Sequence, residues 1–208
     1  MIIDKYKTIF IHIPKNAGTA IKDFFNKDWD NGLHIPRTKI HKHDTIHQIK
    51  LKSPELYDSF KKFAVVRNPY DRMLSWYAYL KRAMKIEHTL GDHRWKSGEH
   101  FPSGFIEWVK DPFENYYSRW KLSDVRNGRE NSTPFLSPQH TWVDDTVEII
   151  KYENLNKELS EFFKKEISLP VVNKSNHDDY LKHYDKESLD IVYNRYKKDF
   201  KEFNYKKL

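Results

Sequence analysis

Three short apolar runs, each followed by a segment with helical spacing, dominate the hydrophobic pattern of this chain. They predict β-strands at about 8–13, 62–67 and 147–151. The runs do not alternate with polar positions, which is typical of parallel strands covered on both faces. Helical spacing predicts helices at about 18–27, 69–85, 104–110, 153–165 and 186–203. Strands that alternate with helices predict an α/β fold with a central, mainly parallel sheet between two layers of helices.

Two of these helices carry apolar stripes that indicate core packing rather than a ligand site. A helix that packs in a core repeats its apolar residues every three or four positions. The stripes are Met73, Tyr77, Leu80 and Met84 in one helix, and Leu189, Val192, Tyr196, Phe200 and Phe203 in the other.

The first strand leads into a turn whose residues suit an anionic ligand. Pro14 ends the strand and Lys15 adds a cation, and the four small or polar residues 16–19 let backbone N–H groups approach a ligand closely. A helix that begins near Ala20 would direct its unpaired N–H groups and its dipole at the same point. The turn is not a Walker A motif, because Lys15 precedes its glycine. A basic turn without a ligand is the alternative interpretation.

The second strand ends in a comparable arrangement. Arg67 follows the strand, Asn68 suits a helix N-cap, and Pro69 suits the first helical position. Ser75 lies in the first turns of the helix, so an Arg fork and a hydroxyl are available for a second anion. The alternative is a surface ion pair of Asp71 with an arginine, which for Arg72 is the preferred interpretation.

These segments resemble the sulfotransferases that use 3′-phosphoadenosine 5′-phosphosulfate (PAPS), most closely the carbohydrate sulfotransferases and their bacterial relatives. Residues 11–19 are similar to that family's 5′-phosphosulfate loop, and residues 63–75 to its 3′-phosphate segment. Residues 147–155 and 173–205 are similar to its downstream strand-and-loop marker and closing helix. The resemblance implies a P-loop-like three-layer fold. A length of 208 residues suits one domain of ordinary size, so we expect a single sulfotransferase domain over 1–208.

The same resemblance implies roles for particular residues. Lys15 would stabilise the leaving phosphate, and Arg67 and Ser75 would hold the 3′-phosphate. The other cofactor-binding residues would be Asn16, Ala17, Gly18, Thr19, Ala20 and Tyr152. The product would be adenosine 3′,5′-bisphosphate, and no metal site is expected.

A histidine-rich segment between the two anion sites offers a general base. In the resembling family a His in this interval commonly takes the acceptor's proton, and His43 fits that pattern best. The ordinary pKa of imidazole suits general base work near neutrality. His41, His47 and His140 are further candidates, and Glu153 could line the nucleotide site. A zinc site and a solvated surface loop are the alternatives for the cluster.

Composition limits the partners and the compartment. The net charge of +7 favours anionic ligands without choosing among nucleotide, acidic glycan and nucleic acid. The chain has no cysteine, which excludes disulfides and thiolate chemistry. The first strand begins within ten residues of Met1 and no long apolar run follows. We therefore expect a cytoplasmic protein without a membrane span.

Residues 85–142 differ from the rest of the chain in composition and in periodicity. They hold four of the six tryptophans and four of the six glycines, and their periodicity is weak. Aromatic rings can stack on sugars and arginines can meet acidic substituents, so we expect an acceptor-binding or lid insertion here. A small satellite core under long loops is the alternative, which we prefer for any single tryptophan.

The sequence thus predicts transfer of a sulfonyl group from PAPS to a hydroxyl by in-line displacement. The acceptor is expected to be a glycan or glycolipid, although no pattern identifies it or the oligomeric state. A P-loop kinase for a small metabolite is the first alternative, and the missing G-K-[ST] argues against it. A non-catalytic module that binds nucleic acid is the second, and the dispersal of lysines along the chain argues against it.

Overall fold

The computed structural model describes residues 1–25, 40–90, 102, 104–110, 136–169 and 179–208, and for 83–90 it describes the backbone alone. The strands are β1 (Ile2–Ile3), β2 (Thr8–Ile11), β3 (Lys61–Val66) and β4 (Glu148–Lys151). The helices are α1 (Gly18–Phe25), α2 (Ile46–Lys52), α3 (Pro54–Ser59), α4 (Pro69–Leu90), α5 (Phe105–Lys110), α6 (Leu155–Phe163) and α7 (Lys186–Glu202). Short 3-10 turns cover Asp4–Tyr6, Gln139–Trp142, Tyr152–Asn154 and Tyr180–His183.

The four strands form one sheet in the order β1-β2-β3-β4. β2 pairs with β3 in parallel, with Phe10 opposite Phe63, and β3 pairs with β4 in parallel, with Val65 opposite Ile150. β1 pairs antiparallel with β2 at the edge. The carboxyl ends of β2, β3 and β4 therefore lie at the same edge of the sheet, where ligands bind in open α/β sheets.

The sheet is buried on both faces, as its apolar runs predict. Phe10 and Phe63 stack across β2 and β3 with ring centroids 4.8 Å apart, on the face that also holds Phe25 of α1 and Leu159 of α6. The side chains that alternate with them in β2 and β3 are equally buried: Ile9, Ile11, Ala64 and Val66 all have 0% exposure. The sheet thus has two apolar faces, which is the reason its strands lack alternation.

The described residues group into two compact units. One unit lies within Met1–Arg67 and Tyr116–Asn173 and contains the whole sheet, and the other lies within Asn68–Asn115 and Lys174–Leu208. The second unit is formed by α4, α5, α7 and the Tyr180–His183 turn. Its core is aromatic, because Tyr70 packs on Phe200 of α7 and Phe105 packs on Tyr184, each with ring centroids 4.8 Å apart.

The prediction of an α/β fold with a mainly parallel sheet is confirmed. The three predicted strands are present within two residues of their expected bounds, as are the described ends of the helices that correspond to α1, α5, α6 and α7. α4 runs to Leu90, beyond the expected end at residue 85. Both predicted stripes are core wherever their side chains are described, except that Leu189 is half-buried.

The pattern did not predict the edge strand β1 or the helices α2 and α3. These are two to seven residues long, too short to display a period. Residues 85–142 fall largely outside the described residues, so the acceptor-binding insertion stays a prediction, as does the single domain over 1–208. Among the described residues, no helix has the length and apolar content needed to cross a bilayer.

Candidate active site

The turn between β2 and α1 has an unusual backbone conformation. Lys15 has φ of 71° and Ala17 has φ of 59°, which is the left-handed region that non-glycine residues rarely occupy. Asn16 lies between them, so the sign of φ alternates along the turn. Alternation of this kind directs successive N–H groups toward one concave surface, which is an anion-binding geometry. α1 begins directly afterwards, at Gly18, and its first N–H groups have no partner within the helix.

Gly18 is required because the imidazole of His12 lies against its backbone. A Cβ added at Gly18 would meet His12 Nε2 at 1.7 Å. The ring has little room to yield, because it stacks on Phe10 with centroids 5.6 Å apart and lies tilted against His43 with centroids 4.5 Å apart. Close packing of His12 therefore sets where α1 starts relative to the turn.

Two buried amides join this turn to the end of β3. Asn16 Nδ2 donates to the Val65 carbonyl and to Gln139 Oε1, both at 2.7 Å. Gln139 Oε1 also accepts from the Arg67 N–H at 2.9 Å, and Gln139 Nε2 donates to the Arg67 carbonyl at 2.8 Å. The predicted phosphosulfate loop is therefore adjacent to residues 63–67, the part of the predicted 3′-phosphate segment that lies in the first unit.

The side chain of Arg67 is held in a defined orientation. Its Nη1 donates to the Lys15 carbonyl at 3.3 Å, and its Cζ lies 4.2 Å from the centroid of the Tyr152 ring. Stacking on an aromatic face keeps the planar guanidinium oriented before a ligand arrives. Tyr152 follows β4, so each of the three parallel strands contributes one residue to this contact: Lys15, Arg67 and Tyr152.

His43 lies beside the same turn. Asp44 shapes its loop, because Asp44 Oδ2 accepts from the His41 N–H at 2.6 Å and the carboxylate also pairs with Lys52 at 2.7 Å. His43 Nδ1 is 3.1 Å from the carbonyl oxygen of His12. A carbonyl only accepts, so this bond requires a proton on Nδ1 and leaves Nε2 as the nitrogen that can take one.

His12 is an uncharged component of the site. Burial lowers its pKa well below the usual value, and the nearby charges of His43, Lys42 and Lys15 lower it further. Its Nδ1 is buried and has no hydrogen-bond partner among the described residues. The ring is therefore neutral near pH 7, and it contributes shape rather than charge.

The remaining predicted residues fall in several places. Thr19 is exposed and Ala20 is buried on the first turn of α1. Ser75 is buried on α4, in the second unit. His41, His47 and Glu153 are exposed and His140 is half-buried. Within the described ranges, no group of three or more His, Asp or Glu side chains could hold a metal ion.

The surface ion pair preferred for Arg72 is wrong as to its location. Arg72 is only 1% exposed and Asp71 only 9%, because α4 packs on α7 from its first turn. The charge of Arg72 is close enough to Tyr196 of α7 to oppose the rise that burial causes in the tyrosine pKa.

Sequence reasoning missed His12, Asp44 and Gln139. Gln139 belongs to the stretch of weak periodicity, where nothing in the sequence indicates a contact with residues 16 and 67. A signal for Asp44 was present, because an Asp directly before a Thr-x-x-Gln capping sequence suits the turn that precedes a helix.

Sequence comparison relates this chain to known proteins. Carbohydrate sulfotransferase 10 of Xenopus laevis is 22% identical over an alignment of 237 positions, gaps included, which covers 99% of this chain and 66% of the relative. The chain therefore spans about two thirds of the length of that curated relative. No solved structure matches the chain significantly. The sequence profile of the sulfotransferase family matches residues 1–206, and the chain belongs to that family.

Proposed function

We propose that this protein transfers a sulfonyl group from PAPS to a hydroxyl group of a carbohydrate acceptor. The observation that carries the proposal is the contact of Arg67 with Lys15. It joins two segments that are 52 residues apart in sequence and that the sequence resemblance assigns to opposite ends of the donor. The family membership supports the transfer of a sulfonyl group by this chain.

The residues at this edge of the sheet suit the donor. The backbone at 15–18 and the start of α1 offer N–H groups to an anion, and the residue set adds the cations of Lys15 and Arg67. Asn16, Ala17, Gly18, Thr19 and Ala20 would hold the 5′-phosphosulfate, and Arg67 would hold the 3′-phosphate. The role of Ser75 at the 3′-phosphate stays a prediction from the sequence resemblance. Tyr152 would line the nucleotide site beside Arg67. When bound, PAPS supplies the sulfonyl group and a bisphosphate leaving group.

Lys15 and His43 divide the remaining chemistry between them. The ammonium of Lys15 would stabilise the negative charge that develops on the bridging oxygen as its bond to sulfur breaks. Nε2 of His43 would take the proton of the acceptor hydroxyl while that oxygen bonds to sulfur. The Nδ1 contact with the His12 carbonyl favours the tautomer that this role needs.

The carbohydrate acceptor is proposed from the sequence resemblance and from the name of the Xenopus relative, a carbohydrate sulfotransferase. Aromatic and basic residues of the 85–142 segment remain the predicted acceptor contacts. The cytoplasmic location likewise stays a prediction.

Calorimetric titration tests the donor site. We expect adenosine 3′,5′-bisphosphate to bind the wild-type protein and ATP–Mg²⁺ to bind much more weakly. Arg67→Ala should raise the dissociation constant of the bisphosphate by about 10- to 150-fold, which corresponds to the loss of about 1.5–3 kcal/mol for hydrogen bonds to a charged group. Arg82→Ala removes an exposed arginine of α4 and should leave binding unchanged.

Tight binding of ATP–Mg²⁺ without the bisphosphate would instead identify a kinase. Binding of nucleic acid that falls steeply with salt and ignores the bisphosphate would identify a nucleic-acid module.

Transfer of label from ³⁵S-PAPS to a panel of oligosaccharides and glycolipids tests the reaction. Lys15→Ala should reduce turnover far more than donor affinity, because the ammonium acts on charge formed in the transition state. His43→Ala should nearly abolish transfer with donor affinity intact. Lys157→Ala, at an exposed position of α6, is the control for loss of a lysine. Equal losses of turnover and affinity in Lys15→Ala would contradict its assigned role.

A further inference from the structure

We propose that Gln139 is the positioning residue that couples the phosphosulfate loop to the Arg67 end of β3. The inference rests on the proposed function for its ligand, although the coupling itself is a property of the ligand-free chain. Gln139 is separated by 123 residues from Asn16 and by 72 residues from Arg67, and it contacts both through one carboxamide.

The contact uses the donor and the acceptor of the amide together. Gln139 Oε1 accepts from the Arg67 N–H at 2.9 Å, and Nε2 donates to the carbonyl of the same residue at 2.8 Å. The side chain thus extends the hydrogen bonding of β3 by one residue, beyond the last residue of the strand. Oε1 can accept a second hydrogen bond, and it does so from Asn16 Nδ2 at 2.7 Å.

Water cannot replace this arrangement. Asn16 and Gln139 both have 0% exposure and Arg67 has 5%. Removing the Gln139 amide would abolish its buried hydrogen bonds to the Arg67 N–H, to the Arg67 carbonyl and to one Asn16 hydrogen, which is costlier than losing exposed hydrogen bonds. The loop and the strand end would shift once this link between them is lost.

The shift matters because the loop is held in a strained conformation. Lys15 and Ala17 both have positive φ, and Asn16 is the residue between them. Such conformations persist only where the surroundings over-determine them. The Asn16 side chain, fixed by Val65 and Gln139, provides that constraint. Gln139 therefore governs the direction of the loop N–H groups without touching the ligand.

The first test is amide hydrogen exchange in the ligand-free protein. Gln139→Ala should accelerate exchange of the Arg67 amide by more than about tenfold, because its acceptor is removed. The Ile167 and Leu169 amides are matched internal controls, since each is held by a side chain of the same unit, Ser160 Oγ and Asn156 Oδ1 respectively. Their exchange should not change. Acceleration of all three amides together would indicate global loosening and overturn the proposal.

The second test measures bisphosphate affinity in a double-mutant cycle. Gln139→Ala and Asn16→Ala should each raise the dissociation constant by about tenfold or more. The dissociation constant of the double variant should not exceed that of the weaker-binding single variant, because both substitutions remove the same constraint. Ser160→Ala, which loses a comparable structural bond, should lower stability without weakening binding. Additive losses in the cycle, or wild-type affinity in Gln139→Ala, would overturn the proposal.

Failure of a variant to fold and failure of the proposed function can each be told apart from failure of the Gln139 proposal. Gln139→Met preserves the volume of the side chain, and it replaces Gln139→Ala in both tests if the alanine variant does not fold. If the wild-type protein binds no bisphosphate, the proposed function fails, while the exchange of the Arg67 amide still decides whether Gln139 couples the two segments.

Discussion

At the scale of single residues, the contact of His12 with Gly18 is the tightest constraint in the described site. A β-carbon at Gly18 would overlap an imidazole that two other rings enclose. His12 is 5% exposed, so its ring is almost wholly enclosed by protein. The glycine is therefore needed for space, even though its neighbours Lys15 and Ala17 carry the positive φ values.

Gly18→Ala should lower the free energy of unfolding by about 1–3 kcal/mol, the usual cost of overpacking. This loss exceeds the gain of up to about 1 kcal/mol that alanine has over glycine in a helix. Urea unfolding measures the change. Gly104→Ala is the matched control, because a Cβ there meets nothing within 4 Å. Similar stability of the two variants would contradict the packing of His12 on Gly18.

The buried His12 should also make the free energy of unfolding depend on pH. Its pKa is lowered in the folded state, so the unfolded chain takes up a proton first as the pH falls below about 6.5. Its contribution to stability is constant above that pH and is lost below it, with a limiting slope of about 1.4 kcal/mol per pH unit.

Unfolding free energies of the wild-type protein and His12→Gln between pH 5 and pH 7.5 test this dependence. The variant lacks the titrating ring, so its curve should be flatter by about one proton below pH 6.5. The other ten histidines are common to both chains and cancel in the comparison. Parallel curves would show that His12 is not buried in its neutral form.

At the scale of elements, the cap of α2 fixes the loop that carries His43. Thr45 and Gln48 form a capping box, in which Gln48 N donates to Thr45 Oγ1 at 3.2 Å and Thr45 N donates to Gln48 Oε1 at 2.8 Å. The carboxylate of Asp44, the residue before the cap, accepts from the His41 N–H. The start of α2 and the His43 turn are thus held by consecutive residues.

Thr45→Ala should lower the free energy of unfolding by about 1 kcal/mol, the typical value of an N-cap, because one N–H of α2 loses its acceptor. Thr45→Ser keeps the hydroxyl and should retain most of the stability. Denaturant unfolding followed by circular dichroism gives both values. Equal losses in the two variants would point to the missing methyl group rather than to the cap.

At the scale of the whole molecule, an aromatic cluster joins the sheet to α6. The Phe63 ring stacks on Phe10 at 4.8 Å and meets Phe162 at 5.1 Å and Phe163 at 5.7 Å. Phe63 has 0% exposure and lies on the central strand β3, four residues before Arg67. The same core therefore stabilises the sheet and supports the strand that carries the candidate site.

Phe63→Ala should lower the free energy of unfolding by about 3–5 kcal/mol, a large share of the 5–15 kcal/mol typical of a native protein. The loss combines removed apolar burial with a cavity between β3 and α6. Leu51→Ala, at a position 85% exposed, should change stability by less than about 0.5 kcal/mol. Thermal or urea unfolding measures both variants, and a loss below about 1 kcal/mol for Phe63→Ala would contradict this core.

Much of the fold could be read from local pattern, because helices and strands each impose a period on their own residues. The apolar runs at 8–13 and 62–67 identified the central strands, and the polar residues after them identified Lys15 and Arg67 as neighbours at one edge of the sheet. α2 was not predicted because a helix of seven residues has barely two turns in which to show its period.

The sequence by itself determined the parallel strands, the helices that follow them and the residue types offered to an anion, since each of these depends on neighbours within a few positions. Only the tertiary structure decided that Gln139 fastens Asn16 to Arg67, that His12 dictates a glycine at 18, and that Arg72 is enclosed. Those contacts join residues that are distant in the sequence or brought together by packing. Neither a hydrogen bond nor a steric limit imposes a period on the chain that could reveal the partner residue.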